Sequence, residues 1–209
     1  MRIAREGYRF VGTAVGAAAL AGLAGWELPA LVALVLAGFF LTFFRDPERR
    51  VPLGDGLVVA PADGRIIDVE AGVHASELPA PATRVSIFMS PLNVHVNRAP
   101  VTGTVLAVRY QPGKFHAAFS PKASPDNERN AIVIRDERQE RFLMIQIAGA
   151  LARRIVCYVR PEARVERGGR CGIILFGSRV DLYLPAAVTV RVRAGDRVRA
   201  GESVIGAYA

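Results

Sequence analysis

Three side chains in this sequence have the types and settings to do chemistry together. Ser178 stands in GRCGIILFGSRVDLYLP, where the apolar run Ile173–Phe176 and the alternation Val180, Leu182, Leu184 both predict strand. Period-two spacing puts its hydroxyl on the same face as those three apolar residues, aimed into a core. Gly177, just before it, has no side chain, so the bond between the two is open to bending and approach. Asp63 stands before the final glycine of VVAPADG, where an ordinary Asp-Gly turn residue is the competing reading. His95 lies in MSPLNVHVNRAP between two valines, on a face with Asn93 and Asn97 and close to Arg98. A structural histidine is the alternative there.

Brought together, the three form a Ser/His/Asp arrangement in which His accepts the hydroxyl proton and Asp orients the ring. A hydrolase is the first thought, but the surroundings of Ser178 read FGSRV, without the second glycine or the following helix of a nucleophile elbow. Attack by Ser178 on its own chain suits the residues better. Its oxygen adds to the unhindered Gly177 carbonyl to make an ester, and β-elimination then cuts the chain. The dehydroalanine left behind hydrolyses to a pyruvoyl group.

The body that must position these groups runs from Val51 onward, in short strands punctuated by Gly and Pro. Segments 58–60, 64–69, 84–89, 103–109, 131–134, 142–147, 155–159, 172–176 and 188–192 all have strand length and composition. Lys114–Asn130 is polar, carries Pro121 and Pro125, and reads as a long ordered loop. The tail Val190–Gly206 reads as strand, turn, strand, with Gly195-Asp196 and Gly201-Glu202 as turn signals, and is similar to half of a biotinyl/lipoyl-like barrel. No Lys stands at a hairpin tip, which argues against a swinging-arm carrier. The fold class expected is mainly β (α+β).

Ahead of this body, Phe10–Trp26 and Leu28–Phe44 are apolar stretches of 17 residues each. They predict a helical hairpin at the short limit for crossing a bilayer, either spanning or re-entrant. Arg2, Arg5 and Arg9 precede it and Arg45, Arg49 and Arg50 follow, which puts both ends in the cytoplasm. A cleaved signal peptide is the alternative, but it leaves the second stretch without a purpose. The expected organisation is an anchor and linker over 1–50 and a catalytic domain over 51–209.

Composition narrows the chemistry. The chain has 209 residues, 51% of them hydrophobic, and a net charge of +8, which points to an anionic partner such as an acidic membrane surface or nucleic acid. Its only lysines, Lys114 and Lys122, sit in loop-like sequence, so a lysine-bound pyridoxal cofactor has little support. Cys157 and Cys171 form no CxxC pair and read as small buried residues. His74, His95 and His116 lack metal-ligand spacing.

Five segments together carry a family resemblance: PADG at 61–64, FMSPLNVHVNRAPVTG at 88–103, PGKF at 112–115, NERN at 127–130 and FGSRVDLYLP at 176–185. The sequence resembles the short bacterial phosphatidylserine decarboxylase proenzymes. The resemblance implies self-cleavage between Gly177 and Ser178, giving a β chain to 177 and an α chain of 178–209 that starts with the pyruvoyl group. It implies roles for Asp63 and His95 beside Ser178. It also implies a Schiff base between the pyruvoyl carbonyl and the amine of phosphatidylserine, loss of carbon dioxide, and release of phosphatidylethanolamine. The hairpin would hold the site at the cytoplasmic face of the cell membrane.

Longer members of that family carry a second His three residues after the first and read Leu-Gly-Ser-Thr at the cut. Here Arg98 and FGSR stand in those places. Guanidinium stays protonated, so Arg98 cannot act as a base; either Asp63 acts more directly or, the reading preferred, His95 serves both maturation and decarboxylation. Arg98 is then a candidate for a substrate carboxylate or phosphate, with Lys122 and Arg129 as candidates for the phosphodiester. A homo-oligomer is compatible with the sequence. The competing readings are a decarboxylase of another serine phospholipid, a noncatalytic membrane-tethered barrel adaptor, and a nucleic-acid binder, which lacks any recognised motif.

Overall fold

The two apolar stretches form helices α1 (Gly7–Leu23) and α2 (Glu27–Phe43) in a computed structural model that describes residues 2–113, 127–149, 154–175 and 178–208. Both helices start a little before the apolar stretches, because a helix is set by backbone hydrogen bonds and its first turn tolerates Tyr8 and Arg9. Gly25, at φ 75°, adopts the left-handed conformation that stops α1. Phe10 stacks on Phe44 with ring centroids 5.2 Å apart and meets Phe40 at 5.4 Å. Arg45 and Asp46, expected in a linker, instead form strand β2 (Arg45–Asp46), antiparallel to β1 (Arg2–Ile3). Among the described residues no helix is long and apolar enough to cross a membrane.

These elements belong to a unit that ends at Glu48; Arg49–Ala209 forms a second one. The second unit is mainly β and contains β3 (Leu57–Val59), β4 (Gly64–Val73), β5 (Ala82–Met89), β6 (Val96–Arg98), β7 (Gly103–Gln111), β8 (Arg129–Asp136) and β9 (Arg141–Ala148). It continues with β10 (Ile155–Cys157), β11 (Arg164–Val165), β12 (Arg170–Ile174), β13 (Ser178–Leu184), β14 (Val188–Val190), β15 (Arg197–Val198) and β16 (Val204–Tyr208). An eight-stranded antiparallel sheet runs β11-β7-β8-β9-β13-β5-β4-β15 and curls into a half barrel. Two three-stranded sheets, β10-β12-β6 and β14-β16-β3, complete the unit.

Alternation along the strands feeds two apolar clusters. Val180, Leu182 and Leu184 join Ile66, Ile87, Met89, Ile132, Phe142 and Met144 in the main core, while Tyr183 joins Leu143, Ile145 and Ile147 on the other face of the sheet. Strand β13 is therefore buried on both faces and paired on both edges, to β5 and to β9.

Two loop expectations change. Arg129 and Asn130, placed by the sequence in a long loop, begin β8 and pair with β7 and β9, because the ladder supplies their backbone groups with partners; Lys114 to Asp126 lie outside the described residues. The tail is not one local hairpin. Its first and last strands, β14 and β16, pair with each other, and the intervening β15 pairs with the distant β4. Gly195 and Gly201 do turn the chain there, with φ of 99° and 75°.

Candidate active site

Ser178 opens β13 and is fully buried. Its register partners are Met89 at the end of β5 and Ala148 at the end of β9. Its hydroxyl donates to the Met89 sulfur at 3.3 Å. Gly177 lies outside the described residues.

The same sulfur receives a second donor, the Nδ2 of Asn97 at 3.7 Å. Asn97 belongs to a chain of buried amides. Gln146 Nε2 donates to Asn97 Oδ1 at 2.8 Å, and Asn130 Nδ2 donates to Gln146 Oε1 at 2.9 Å. Room for Gln146 depends on Gly172, where an added Cβ would come within 2.9 Å of Nε2 and 2.5 Å of the Val156 carbonyl.

His95 immediately precedes β6 and is fully buried. Its Nδ1 lies 2.9 Å from the Asn93 carbonyl. A carbonyl only accepts, so Nδ1 carries the proton and the lone pair of the neutral ring sits on Nε2. Asn93 does not continue the alternation expected of it. It closes a turn, with its Oδ1 accepting from the backbone and hydroxyl of Ser90, so the His95 ring is held by its backbone and not by a shared strand face.

Asp63 sits in the turn between β3 and β4. Its carboxylate receives Arg49 at 2.9 Å on each oxygen and the backbone N–H of Ala200 at 2.8 Å. Arg49, which the sequence suggested only as a topology signal, is 6% exposed and reaches Glu202 at 3.7 Å as well. The backbone N–H of Arg98 donates to Pro61, which ties the Asp63 turn to the strand that follows His95.

The three predicted groups thus lie on elements bound to one another, each held by a different neighbour: Ser178 by Met89, His95 by Asn93, Asp63 by Arg49 and Ala200. Of the substrate candidates, Arg98 is buried and donates to the Gly168 carbonyl at 2.8 Å. Arg129 donates twice to Gln111 Oε1, at 2.9 and 2.7 Å. Lys122 lies outside the described residues.

Sequence reasoning missed Arg49, Met89, Gln146 and Asn130. For Gln146 a signal was present: it stands between Ile145 and Ile147 and shares their strand's inward face with Met144 and Ala148, the same misplaced polarity that marked Ser178. On the opposite face of β13, Arg179 donates through Nε and Nη2 to the two oxygens of Asp181, at 2.6 and 3.0 Å, and through Nη2 to Ser86 Oγ at 2.8 Å.

The family model described as phosphatidylserine decarboxylase matches residues 36–206. A phosphatidylserine decarboxylase proenzyme from Syntrophus aciditrophicus is 45% identical over 208 residues, covering 99% of this chain and 97% of the relative. Proenzymes of the same name from Nitrosomonas europaea and Chlorobium phaeobacteroides are 48% and 49% identical, covering 99% and 90% of this chain and 95% and 91% of theirs.

Proposed function

The chain belongs to the phosphatidylserine decarboxylase family, and from that premise we propose that it matures by cutting itself at Gly177-Ser178. It is a decarboxylase that converts phosphatidylserine to phosphatidylethanolamine in bacterial phospholipid synthesis. The observation that carries the maturation reading is the Ser178 hydroxyl, fully buried at the start of a two-sided core strand and held by a weak thioether acceptor.

In the cut, the Ser178 oxygen bonds to the Gly177 carbonyl carbon as the peptide C–N bond breaks, leaving an ester and the Ser178 amine. Loss of the Ser178 Cα proton expels that oxygen with the Gly177 carboxylate, and addition of water releases ammonia. His95 suits the base in these steps, because its Nδ1 bond leaves the lone pair on Nε2. Asp63, held by Arg49, fixes the turn that is bound to the β6 backbone.

A pyruvoyl group fits this position. A flat keto group is no bulkier than the serine it replaces, and β5 and β9 grip β13 on both sides. Met89 and Asn97 would border it, and bound there it supplies an electron sink for carbon dioxide loss. Arg98, Lys122 and Arg129 remain the candidates for the anionic groups of the lipid.

The N-terminal unit supports placement at the membrane. Leu20, Leu23, Trp26, Leu28, Leu31, Val32, Leu34 and Val35 are all exposed, an apolar belt of the kind that meets lipid. Each helix has 17 residues and is about 26 Å long, short of the ~30 Å hydrocarbon core. A pair that dips into the cytoplasmic leaflet matches that length better than a double span. In the body, β14, β16 and β3 support the biotinyl/lipoyl-like reading of the C-terminal region.

Intact-mass spectrometry of wild type and Ser178→Ala, both purified from membranes, tests the proposal. Two chains in wild type only, the smaller beginning with a pyruvoyl mass, support it. One uncut chain in both would remove it and return the adaptor reading.

A further inference from the structure

We infer that Asn97 is a hydrogen-bond donor to the group that residue 178 becomes, and that Gln146 and Asn130 are positioning residues that aim it. The inference rests on the maturation reading above and adds to it a residue for the keto oxygen.

An amide can present either its oxygen or its nitrogen; here Asn130 Nδ2 occupies the oxygen of Gln146, and Gln146 presents its nitrogen to Asn97. That nitrogen occupies Asn97 Oδ1, so Asn97 must present nitrogen to whatever lies beyond. What lies beyond is the Met89 sulfur, 3.7 Å away, which Ser178 already uses at 3.3 Å. Asn97, Gln146 and Asn130 are 0%, 0% and 2% exposed, so bulk water does not reach the relay.

A buried N–H aimed at a shared thioether is poorly satisfied in the precursor. Conversion of Ser178 changes that balance, because a hydroxyl that donates is replaced by a carbonyl oxygen that can only accept. The relay then ends on a strong acceptor, and the donor is fixed before the acceptor exists. The keto oxygen gains electron density as the substrate amine adds to its carbon and then departs as water, so a fixed donor on it acts in that step and is worth most in a dry site.

The test uses the full chain in membranes, produced with serine carrying 13C at Cα, so that the only labelled ketone is the one formed from residue 178. Isotope-edited infrared spectra are compared for wild type, Asn97→Asp, which keeps the acceptor for Gln146 and loses the donor, and Gln146→Met, which leaves Asn97 in place but unaimed. Intact mass reports cutting in each sample. The expected result is a labelled ketone band at higher wavenumber in both variants, with kcat lowered by about a hundredfold in Asn97→Asp at little change in KM. A band at the wild-type position in cut Asn97→Asp overturns the inference. Should Asn97→Asp not accumulate as folded chain, an unshifted band in Gln146→Met overturns it equally. A wild type that is uncut and has no ketone band would instead defeat the maturation proposal.

Discussion

Arg49 holds both carboxylate oxygens of Asp63 at 2.9 Å, and the two side chains are 6% and 12% exposed. The pair joins the first residue of the β unit to the turn before β4.

Removing Arg49 leaves a buried carboxylate with only a backbone N–H and exposes it to the cost of an uncompensated charge. Arg49→Met is expected to destabilise the β unit by about 3–5 kcal/mol. Arg49→Lys should cost less but still be measurable, since a point charge cannot grip both oxygens as a guanidinium does. Thermal unfolding of the full chain in detergent checks both, and equal stability of all three proteins would sink the claim.

Arg179 and Asp181 form a second interior pair, 6% and 1% exposed, on the face of β13 away from Ser178. Arg179→Met or Asp181→Leu alone should each cost about 3–5 kcal/mol, and the double variant should recover most of that loss. A double-mutant cycle measures the coupling. Simple additivity of the two losses would show that the pair is not a unit.

Burial, and after it the neighbouring Cys157, pushes the Cys171 thiol up from 9.0 to about 12. The folded protein therefore holds this proton where the unfolded chain has lost it. Stability from this group is complete below pH 9 and falls as pH rises from about 9 to about 12, with a slope of up to about 1.4 kcal/mol per pH unit. Subtracting the profile of Cys171→Ala isolates the effect; identical profiles over that window would contradict it. In labelling at pH 8 the half-buried Cys157 should react while Cys171 stays protected.

After the cut at 177–178 the small chain should stay bound without a covalent link. Strand β13 lies inside the eight-stranded sheet with all seven residues buried, and β16 pairs with β3 from the other chain. Tyr208 adds a hydrogen bond to Asp136 and lies against the Arg138 guanidinium at 4.3 Å. Gel filtration in detergent should show both chains in one peak, separating only under denaturant. Separation in native buffer would count against this placement of the small chain.

Much of the architecture was readable because its signals are local. The misplaced Ser178, the alternation Val180, Leu182, Leu184 and the apolar stretches ahead of Phe44 all follow from side-chain periodicity along one element. Errors came where partners are remote. Arg129 and Asn130 look like loop until β7 and β9 flank them, and the tail looks like a hairpin until β4 claims β15.

The amino-acid sequence by itself determined the strand character of the body and the family, and it nominated Ser178, His95 and Asp63 for the chemistry, since these readings depend on residue type and near-neighbour order. The tertiary structure alone decided that Arg49 binds Asp63, that Ser178 and Asn97 share the Met89 sulfur, and that three amides point one way toward it. Those partners lie on different elements, from 8 to 89 residues apart, and no local pattern encodes which edges meet or in what register.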